Sequence, residues 1–437
     1  IDIIHIRIKE DDSMKKTKII GTIGPASKDE NVLKELLANG LDIIRINMTH
    51  ADHKFAQEII NKVKNIDKEL NKHTAIMIDL KGPDITVGEF EGGSVYLNKG
   101  DKIRIYDDYI LGDATKFCVS YPNFVKDVKT NTIIKLNDGL IELYVLEKGV
   151  DYLLCQVNIG GFIENNKGVN VIDTKLNIPF LSDKDISDIK FADKVKADYL
   201  GLSFVSNHED VLDVNDLLIS LKNDHLSIIS KIETEASLED LDEIIKCSDG
   251  IMVARGDLGV EVPLERVPGI QKKVLTKCHI EGKLSIVATE MLSTMENTIR
   301  PTRAEVGDVS NSILEGTDAV LLSSETAVGN YPVETLETMI KIIEQAETEV
   351  NYYDFLDRTM RTEKQDITGS IAYNVVESSE RLKTKFIVAP TMSGYTAKKI
   401  SRFRPYCPVV ALSPDEEVVK NLSMYYGIIP ILIGDVK

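Results

Sequence analysis

Residues 228–261 constrain the fold of this chain more than any other stretch. They span parts of two short apolar runs, 227–230 and 250–254, and each run leads directly into charged residues. Between the runs, apolar residues recur at helical spacing: Leu238, Leu241, Ile244 and Ile245. This order predicts a parallel strand–helix–strand unit. Ligands of parallel α/β folds bind at the carboxyl ends of the strands, so the charged residues are candidates for a functional site.

The charged residues after these two runs allow two interpretations. Lys231 and Glu233 are two residues apart on one predicted strand and therefore share a face, while Asp257 follows the neighbouring strand. One interpretation is a structural salt-bridge cluster at the rim of a barrel. The other is a pair of carboxylates that binds a hard divalent cation, as Mg²⁺ is usually bound, with Lys231 holding an anionic ligand. Gly256, between Arg255 and Asp257, lets backbone amides approach an anion closely.

Composition places the chain among globular proteins and argues against two kinds of partner. Its 437 residues are enough for two or three domains, and 43% of them are hydrophobic. A formal net charge of -18 argues against binding to nucleic acid or to an anionic membrane surface. No apolar run approaches the roughly 18 residues that span a bilayer. The cysteines are scattered without a Cys-x-x-Cys pair, which indicates reduced thiols in a cytoplasmic protein and no zinc site.

Residues 1–16 are interpreted as an N-terminal extension. They lack the basic start and the unbroken apolar core of a signal peptide. Met14, which is followed by a basic segment, is the more natural start of the chain.

From residue 17 the sequence alternates between short apolar strands and helical segments. Strands are expected at 18–22, 42–48, 75–80, 196–204, 227–233, 250–257, 284–289 and 318–325. Eight such units with polar residues at the strand ends predict an α/β protein with a (β/α)8 TIM barrel, formed by residues 17–84 and 182–345. An open doubly wound sheet is the alternative, and the lack of a Gly-x-Gly-x-x-Gly motif after the first strand disfavours it.

Two further regions interrupt or follow the alternation. Residues 85–181 are β-rich and punctuated by turns, which predicts an inserted small β-barrel lid domain. Asn137, Asp138 and Gly139 form a strong hairpin signal within it. Residues 346–437 predict a smaller C-terminal α/β domain with strands at 385–389, 408–412 and 427–432.

Six motifs in order resemble the pyruvate kinase family: TIGPAS (22–27), RINMTH (45–50), DLKGPDI (79–85), SKIETEA (230–236), ARGDLGVE (254–261) and PTRAEVGDV (301–309). The resemblance runs from about Lys16 to the last residue, with the β-rich insertion where that family has its lid. It implies transfer of a phosphoryl group from phosphoenolpyruvate to ADP, giving pyruvate and ATP in the last step of glycolysis. It also implies Mg²⁺ (or Mn²⁺) and K⁺ as cofactors, and a homotetramer.

By matching positions, the resemblance implies a role for each residue at the centre of the site. Glu233 and Asp257 resemble the Mg²⁺ ligands, and Lys231 resembles the residue that stabilises charge on the phosphoryl group and the enolate. Arg45 would hold the phosphoryl group. Backbone amides and one hydroxyl would hold the substrate carboxylate: Gly256, Asp257 and Thr289. A hydroxyl or water must deliver a proton to the enolate carbon, and the sequence does not choose between Thr289 and Ser323.

The same resemblance implies a monovalent cation site and a set of nucleotide contacts. The K⁺ ligands would be Asn47, Thr49, Asp79 and the carbonyl of Leu80. The nucleotide contacts would be Asn47, His50, Pro25, Lys167 and Asp138. His50 as a solvated rim residue and Lys167 as a turn residue are the alternatives.

Several positions depart from the family pattern. Thr86 stands where the family usually has an arginine that contacts nucleotide phosphate. Thr49 replaces the usual serine, and Leu80 the usual threonine. Asp84 keeps the acidic character associated with K⁺ dependence, with a shorter side chain. Glu290, Gly307 and Ser324 also differ from the usual residues.

The C-terminal region is expected to be shorter than in the family, by some forty to fifty residues. The loop 391–396 nevertheless resembles the family's effector phosphate loop, and an ordinary strand–helix turn is the alternative. Its candidate contacts are Thr391, Ser393, Gly394 and Thr396.

Two competing functions remain open from the sequence. One is another metal-dependent barrel enzyme that acts on phosphoenolpyruvate or a 2-keto acid, such as a lyase or mutase. The other is a catalytically impaired binding or regulatory protein, a hypothesis prompted by Thr86 and the C-terminal region.

Overall fold

The computed structural model describes residues 15–172, 174, 176–362 and 367–434 of the chain. Most of the expected N-terminal extension, residues 1–14, lies outside the described residues. No helix within these ranges is both long enough and apolar enough to span a membrane.

Short apolar runs bounded by turns give the strands of the described residues. They are β1 Lys18–Thr22, β2 Ile43–Asn47, β3 Ala75–Asp79, β4 Ser94–Leu97, β5 Lys102–Tyr106, β6 Lys116–Cys118, β7 Ile133–Leu136, β8 Ile141–Lys148, β9 Leu153–Ile159, β10 Gly161–Glu164, β11 Val169–Val171, β12 Tyr199–Leu202, β13 Ser227–Ile232, β14 Gly250–Ala254, β15 Leu284–Ala288, β16 Ala319–Leu322, β17 Ile387–Pro390, β18 Val409–Ser413 and β19 Ile428–Leu432.

The helices of the described residues follow most of these strands. They are α1 Glu30–Asn39, α2 His53–Leu70, α3 Phe124–Asp127, α4 Asp183–Val195, α5 His208–Ser220, α6 Glu235–Glu239, α7 Leu241–Cys247, α8 Arg255–Glu261, α9 Val267–Glu281, α10 Arg303–Leu314, α11 Ser324–Ala327, α12 Pro332–Thr348, α13 Tyr352–Thr362, α14 Ile367–Leu382, α15 Tyr395–Arg402 and α16 Glu416–Leu422. Helix α1 begins at the Asp29 cap and ends at Gly40, which has a φ of +115°.

Eight strands close into a barrel in the order β1-β16-β15-β14-β13-β12-β3-β2. This confirms the predicted (β/α)8 fold and excludes the open sheet. Strands β1, β3, β12, β14, β15 and β16 are buried along their whole length. Such continuous apolar runs are expected where helices cover a parallel sheet.

Three of the predicted strands are clearly longer than the observed ones. The strand expected at 318–325 ends at Leu322, because Ser324 starts helix α11. The strand expected at 196–204 is confined to Tyr199–Leu202, because Lys196 ends helix α4 with a φ of +57° and Phe204 has a φ of +57°. The strand expected at 250–257 ends at Ala254, because Arg255 starts helix α8. Asp257 therefore reaches the barrel mouth from the first turn of a helix and not from a strand.

The inserted region forms two antiparallel-rich sheets around a core of its own. One sheet has the order β11-β7-β8-β9-β5-β6, and the other pairs β10 with β4. Its core includes Phe90, Phe117 and Phe124. Asn137, Asp138 and Gly139 all have positive φ and connect β7 to β8, which confirms the predicted hairpin.

The C-terminal region forms a parallel sheet in the order β17-β18-β19, flanked by α14, α15 and α16. This confirms the α/β domain and its three expected strands.

By internal contacts the chain divides into two compact units. One comprises the described residues up to Ile44, Ile59–Ala75 and the described residues from Met291 onward; the other comprises Arg45–Glu58 and Ile76–Glu290. The boundaries expected for the lid (85–181) and the third domain (346–437) stay predictions. The second unit carries the carboxyl ends of β2, β3 and β12–β15, where most of the candidate site residues lie.

Candidate active site

Lys231 lies at the centre of the charged cluster. It is buried in β13, and its Nζ atom is 2.8 Å from Oε1 of Glu233 and 3.7 Å from Oδ2 of Asp79. The short distance to Glu233 confirms that the two side chains share a face of the strand. Burial acts to lower the pKa of Lys231, but the two carboxylates outweigh it and raise the pKa. The lysine is therefore an ammonium at neutral pH.

Arg45 completes a second ion pair with the same aspartate. Its Nε and Nη2 atoms each lie 2.6 Å from Oδ2 of Asp79, and both side chains are buried. Burial acts to raise the pKa of Asp79, but Lys231 and Arg45 together lower it. Both cations converge on one carboxylate oxygen, while the other, Oδ1, has no hydrogen-bond partner in the described part of the chain.

Three further carboxyl groups near this cluster, those of Glu233, Asp257 and Asp84, have raised pKa values because burial disfavours their charged forms. Burial raises the pKa of Glu233 to about 7, with Lys231 opposing the shift and Asp257 adding to it. Burial likewise raises the pKa of Asp257 and of Asp84. Since desolvation favours the neutral acid, this arrangement requires a nearby positive charge if all the carboxylates are to ionise.

The turn after β12 contacts Lys231 of β13 and Glu233, which directly follows that strand. The Lys231 ammonium donates a hydrogen bond of 2.8 Å to Oγ of Ser203, whose hydroxyl donates to the carbonyl oxygen of Leu80 at 2.7 Å. The next residue, Phe204, donates its backbone N–H to Oε2 of Glu233 at 2.7 Å. Ser203 and Phe204 were not among the candidates from the sequence.

Thr289 connects the ends of β14 and β15. Its Oγ1 accepts the Gly256 N–H at 2.8 Å and donates to the carbonyl of Ala288 at 2.7 Å. Arg255 donates from Nη2 to the carbonyl oxygens of Thr289, at 2.7 Å, and Glu290, at 2.9 Å. Thr289 and Glu290 have φ values of +64° and +53°, so Arg255 holds a backbone conformation that side-chain-bearing residues rarely adopt.

Two family models match this sequence, and together they cover most of it. The barrel-domain model of pyruvate kinase covers residues 14–336, and the alpha/beta-domain model of pyruvate kinase covers residues 369–437. The chain is 41% identical over 421 residues to the pyruvate kinase of Clostridium perfringens, a match that spans 95% of this chain and 88% of that protein. This chain belongs to the pyruvate kinase family.

Two further pyruvate kinases agree in sequence and in structure. The enzyme of Geobacillus stearothermophilus is 40% identical over 416 residues, which is 95% of this chain and 71% of that protein. A solved pyruvate kinase from Cryptosporidium parvum has a TM-score of 0.91 and 34% identity, and the match covers 96% of this chain and 87% of that one.

Family membership fixes the reaction. The chain is a phosphotransferase that transfers the phosphoryl group of phosphoenolpyruvate to ADP in glycolysis. This decides against the lyase or mutase alternative. Pyruvate kinases generally depend on Mg²⁺ and K⁺.

The expected monovalent-site residues lie on neighbouring strand ends of the second unit. The N–H of Met48 donates to the carbonyl of Asp79 at 2.9 Å, and the N–H of Leu80 donates to the carbonyl of Gly201 at 2.9 Å. Oδ1 of Asn47 accepts the Thr49 N–H at 3.0 Å. The structure thus brings together the strand ends that carry Asn47, Thr49, Asp79 and Leu80.

The expected nucleotide contacts are more dispersed. His50 is exposed just after β2, and Asp138 is exposed at the lid hairpin. The Nζ atom of Lys167 is 3.7 Å from Oε2 of Glu164. Thr86 is half-buried in a backbone bridge with Gly168, so its short side chain cannot reach as far as an arginine would.

Three expected site features belong to the first compact unit and are described within it. Pro25 is exposed in the turn after β1. Ser323 follows β16, and its N–H donates to Oε2 of Glu325 at 2.7 Å. In the loop 391–396, Thr391 is buried and Ser393 and Thr396 are exposed; Gly394 caps helix α15 with a φ of +80°.

Proposed function

We propose that Lys231, Arg45 and Thr289 carry the phosphoryl transfer of this chain, and that Glu233 and Asp257 bind Mg²⁺ or Mn²⁺. The observation that supports this most is the position of the Lys231 ammonium, 2.8 Å from Glu233 and 3.7 Å from Asp79 in a buried pocket. A structural ion-pair cluster would pair each charge. This cluster instead leaves excess carboxylate.

The donor atoms fit a hard divalent cation. Oε1 of Glu233 is buried with the Lys231 ammonium 2.8 Å away as its ion-pair partner, and no other group among the described residues bonds to it. Among the described residues, no group of three or more His, Cys, Asp or Glu side chains is arranged to hold a metal ion. Two carboxylates would therefore leave positions for water and substrate oxygens, which is the usual mode of Mg²⁺ binding. When bound, the ion supplies positive charge to the phosphoryl and enolate oxygens.

The protein cations would act on the charge that develops during transfer. Phosphoryl transfer depends mainly on positioning and charge neutralisation. Arg45 would hold the phosphoryl group of phosphoenolpyruvate, and Lys231 would neutralise charge as the group moves to the terminal phosphate of ADP. The same ammonium would stabilise the enolate oxygen that remains. Because both cations are already fixed by Asp79, little reorganisation is needed during the reaction.

Thr289 would serve the carboxylate end of the substrate. In the structure the Gly256 N–H donates to this hydroxyl. With substrate bound, the hydroxyl, the Gly256 N–H and the N–H of Asp257 would instead donate to the substrate carboxylate. The enolate carbon then takes up a proton to give pyruvate. Thr289 and Ser323 are the two candidate donors, directly or through water.

The monovalent cation and the nucleotide would use the residues expected from the family. We assign K⁺ to Asn47, Thr49, Asp79 and the Leu80 carbonyl, with the unpartnered Oδ1 of Asp79 as the donor that supports the assignment. ADP and ATP would contact Pro25, Asn47, His50, Asp138 and Lys167, with Thr86 contributing no phosphate contact.

The remaining proposals concern the surroundings of the site. The β-rich region 85–181 would close over the barrel mouth and exclude water. The loop 391–396 is proposed as an anion-binding effector loop. A homotetramer in the cytoplasm is proposed from the family alone.

The test is pyruvate release from phosphoenolpyruvate with ADP and Mg²⁺, in K⁺ and then in tetramethylammonium. We expect turnover that requires ADP, Mg²⁺ and K⁺. Turnover without K⁺ would contradict the monovalent site and leave the phosphotransferase. A folded chain without turnover under any condition would favour the impaired binding protein suggested by Thr86.

A further inference from the structure

Two consecutive residues that no sequence motif singled out contact the two central functional residues. Ser203 follows β12 directly and accepts a hydrogen bond from Lys231, and Phe204 donates one to Glu233. Lys231 is on β13, and Glu233, which directly follows that strand, lies on the same face. A single turn on the adjacent strand therefore holds both the catalytic ammonium and a carboxylate assigned to the divalent cation.

The direction of the hydrogen bonds through Ser203 is fixed by chemistry. An ammonium can only donate and a carbonyl can only accept, so the Ser203 hydroxyl must accept from Lys231 and donate to Leu80. The hydroxyl has no second orientation that keeps both bonds. Because Ser203 is only 5% exposed, water cannot easily replace it. The position of Nζ thus depends on the position of the Leu80 carbonyl.

The turn is held in a strained conformation, which indicates that its geometry is imposed by its surroundings. Phe204 is a bulky residue with a φ of +57°, a region that such residues rarely adopt. Gly82 lies against the turn: a Cβ atom at Gly82 would be 2.6 Å from the Ser203 carbonyl oxygen. The loop after β3, which also carries Leu80, therefore packs directly against this turn.

We propose that Ser203 is a positioning residue that couples the monovalent cation site to Lys231. The proposal rests on the roles given above to Lys231 and to the Leu80 carbonyl. A cation at that carbonyl would restrain the oxygen to which Ser203 donates, and Ser203 would transmit the restraint to Nζ of Lys231. Phe204 directs its N–H at Oε2 of Glu233 and leaves Oε1 for other partners.

The test compares Ser203→Ala with Ser203→Thr in the full-length enzyme. Loss of a residue that orients a catalytic group typically costs about 10–100-fold. We expect Ser203→Ala to lower kcat by about that factor, with a smaller change in the KM for phosphoenolpyruvate, and to raise the K⁺ concentration for half-maximal activity. Ser203→Thr, which keeps the hydroxyl, should restore most of kcat and most of the wild-type K⁺ dependence. The thermal stabilisation of the substrate-free protein by K⁺ should shrink in Ser203→Ala.

Ser230→Ala is the matched control. It removes another fully buried hydroxyl, on the same strand as Lys231, whose partner is Ser248 at 2.6 Å. It should lower the thermal midpoint and leave kcat and the K⁺ response unchanged. If Ser203→Ala does not fold, Ser203→Cys repeats the test with a side chain of similar volume that is a weak hydrogen-bonding group.

Two outcomes would overturn the proposal. One is a Ser203→Ala enzyme that loses stability as Ser230→Ala does but keeps kcat and the K⁺ response. The other is a Ser203→Thr enzyme as impaired as Ser203→Ala, with the alanine variant's K⁺-induced thermal shift unchanged. A wild-type enzyme that ignores K⁺ would instead refute the proposed cation site and with it the coupling. The effect of Ser203→Ala on kcat would then decide only whether Ser203 positions Lys231.

Discussion

Two buried charged clusters in this molecule differ in how their charges are balanced. The first follows the barrel strands and joins three cations, Arg45, Lys81 and Lys231, to four carboxylates: Asp79, Asp84, Glu233 and Asp257. The second precedes strands β1 and β16 and involves Arg404, Asp318, Lys16, Lys18 and Glu347. Both are largely removed from water. They nevertheless serve different purposes.

In the second cluster, each carboxylate has partners that match it. Nη1 of Arg404 donates to Oδ1 of Asp318 at 2.8 Å, and Arg404 also lies over the ring of Tyr426. Glu347 accepts the backbone N–H groups of Lys16 and Thr17 at distances from 2.7 to 3.0 Å. These contacts tie the start of β1 and the start of β16 to the segments that follow the barrel.

The two clusters also differ in the kind of buried group whose charged form is disfavoured, the amine of Lys18 in the second and the carboxyl of Glu233 in the first. In the second, burial lowers the pKa of Lys18 to about 8, and its Nζ donates to the carbonyl of Ile428 at 2.7 Å, a bond that a neutral amine can also make. In the first, burial raises the pKa of Glu233 to about 7, and its Oε1 has no hydrogen bond. An excess of carboxylate over cation indicates a cation that binds with the substrate. The second cluster instead pairs its carboxylates with cations and backbone N–H groups, which indicates a structural role, although Nε of Arg404 has no hydrogen bond among the described residues.

The largest expected effect on catalysis comes from replacing Lys231, the central cation of the first cluster. Lys231→Met should lower kcat by at least about 1000-fold, because removing one preorganised group that stabilises transition-state charge commonly costs 100–1000-fold and this ammonium serves two developing charges. Binding of phosphoenolpyruvate should stay measurable by calorimetry.

Circular dichroism of the same variant checks that the fold is kept. A rate within tenfold of wild type in a folded Lys231→Met enzyme would contradict the assignment of the catalytic lysine.

Replacing Arg404 would break the second cluster through stability rather than catalysis. Arg404→Leu leaves Asp318 buried without its guanidinium, and removal of one partner of a buried pair costs about 3–5 kcal/mol. The double variant Arg404→Leu with Asp318→Leu should recover part of that loss, since it leaves no unpaired charge. Urea denaturation measures both.

The folded fraction of Arg404→Leu should keep the wild-type kcat at low temperature. A kcat that falls with stability unchanged would mean that this cluster is not structural.

The half-buried pair of His208 and Asp240, which lies outside both clusters, should give the smallest effect. Both Nδ1 and the backbone N–H of His208 lie 2.7 Å from Oδ2 of Asp240. The hydrogen bond to Asp240 raises the pKa of His208 above the usual value of a histidine. The pKa of His208 is thus higher in the folded state than in the unfolded state. The pair therefore stabilises the fold fully at pH values below the unfolded-state pKa of His208. This stabilisation is lost as the pH rises through its folded-state pKa.

His208→Gln should therefore lower the thermal midpoint slightly at pH 5.5, and the difference from wild type should shrink by pH 8.5. Asp240 stays ionised over this range, since His208 lowers its pKa, although burial opposes this. A difference that is constant or grows with pH would contradict the pair.

The sequence by itself determined the fold and the reaction of this protein. The buried apolar runs, the alternation of strands and helices, and the Asn137–Gly139 turn depend on neighbours close in the chain, and their positions were predicted to within a few residues. Lys231 and Glu233 were placed on one face because strand geometry has a fixed period. The motifs around them identified the family.

The tertiary structure decided what depends on contacts between distant segments. Asp257 comes from a helix, because the backbone turns at Arg255, which is bonded to the carbonyls of Thr289 and Glu290. Ser203 and Phe204 were missed because their partners lie about thirty residues away on the next strand. The excess of carboxylate over cation also appears only when separate strand ends are brought together in a buried pocket. Charge counted along the chain cannot reveal it, since burial sets the cost of leaving charge unpaired.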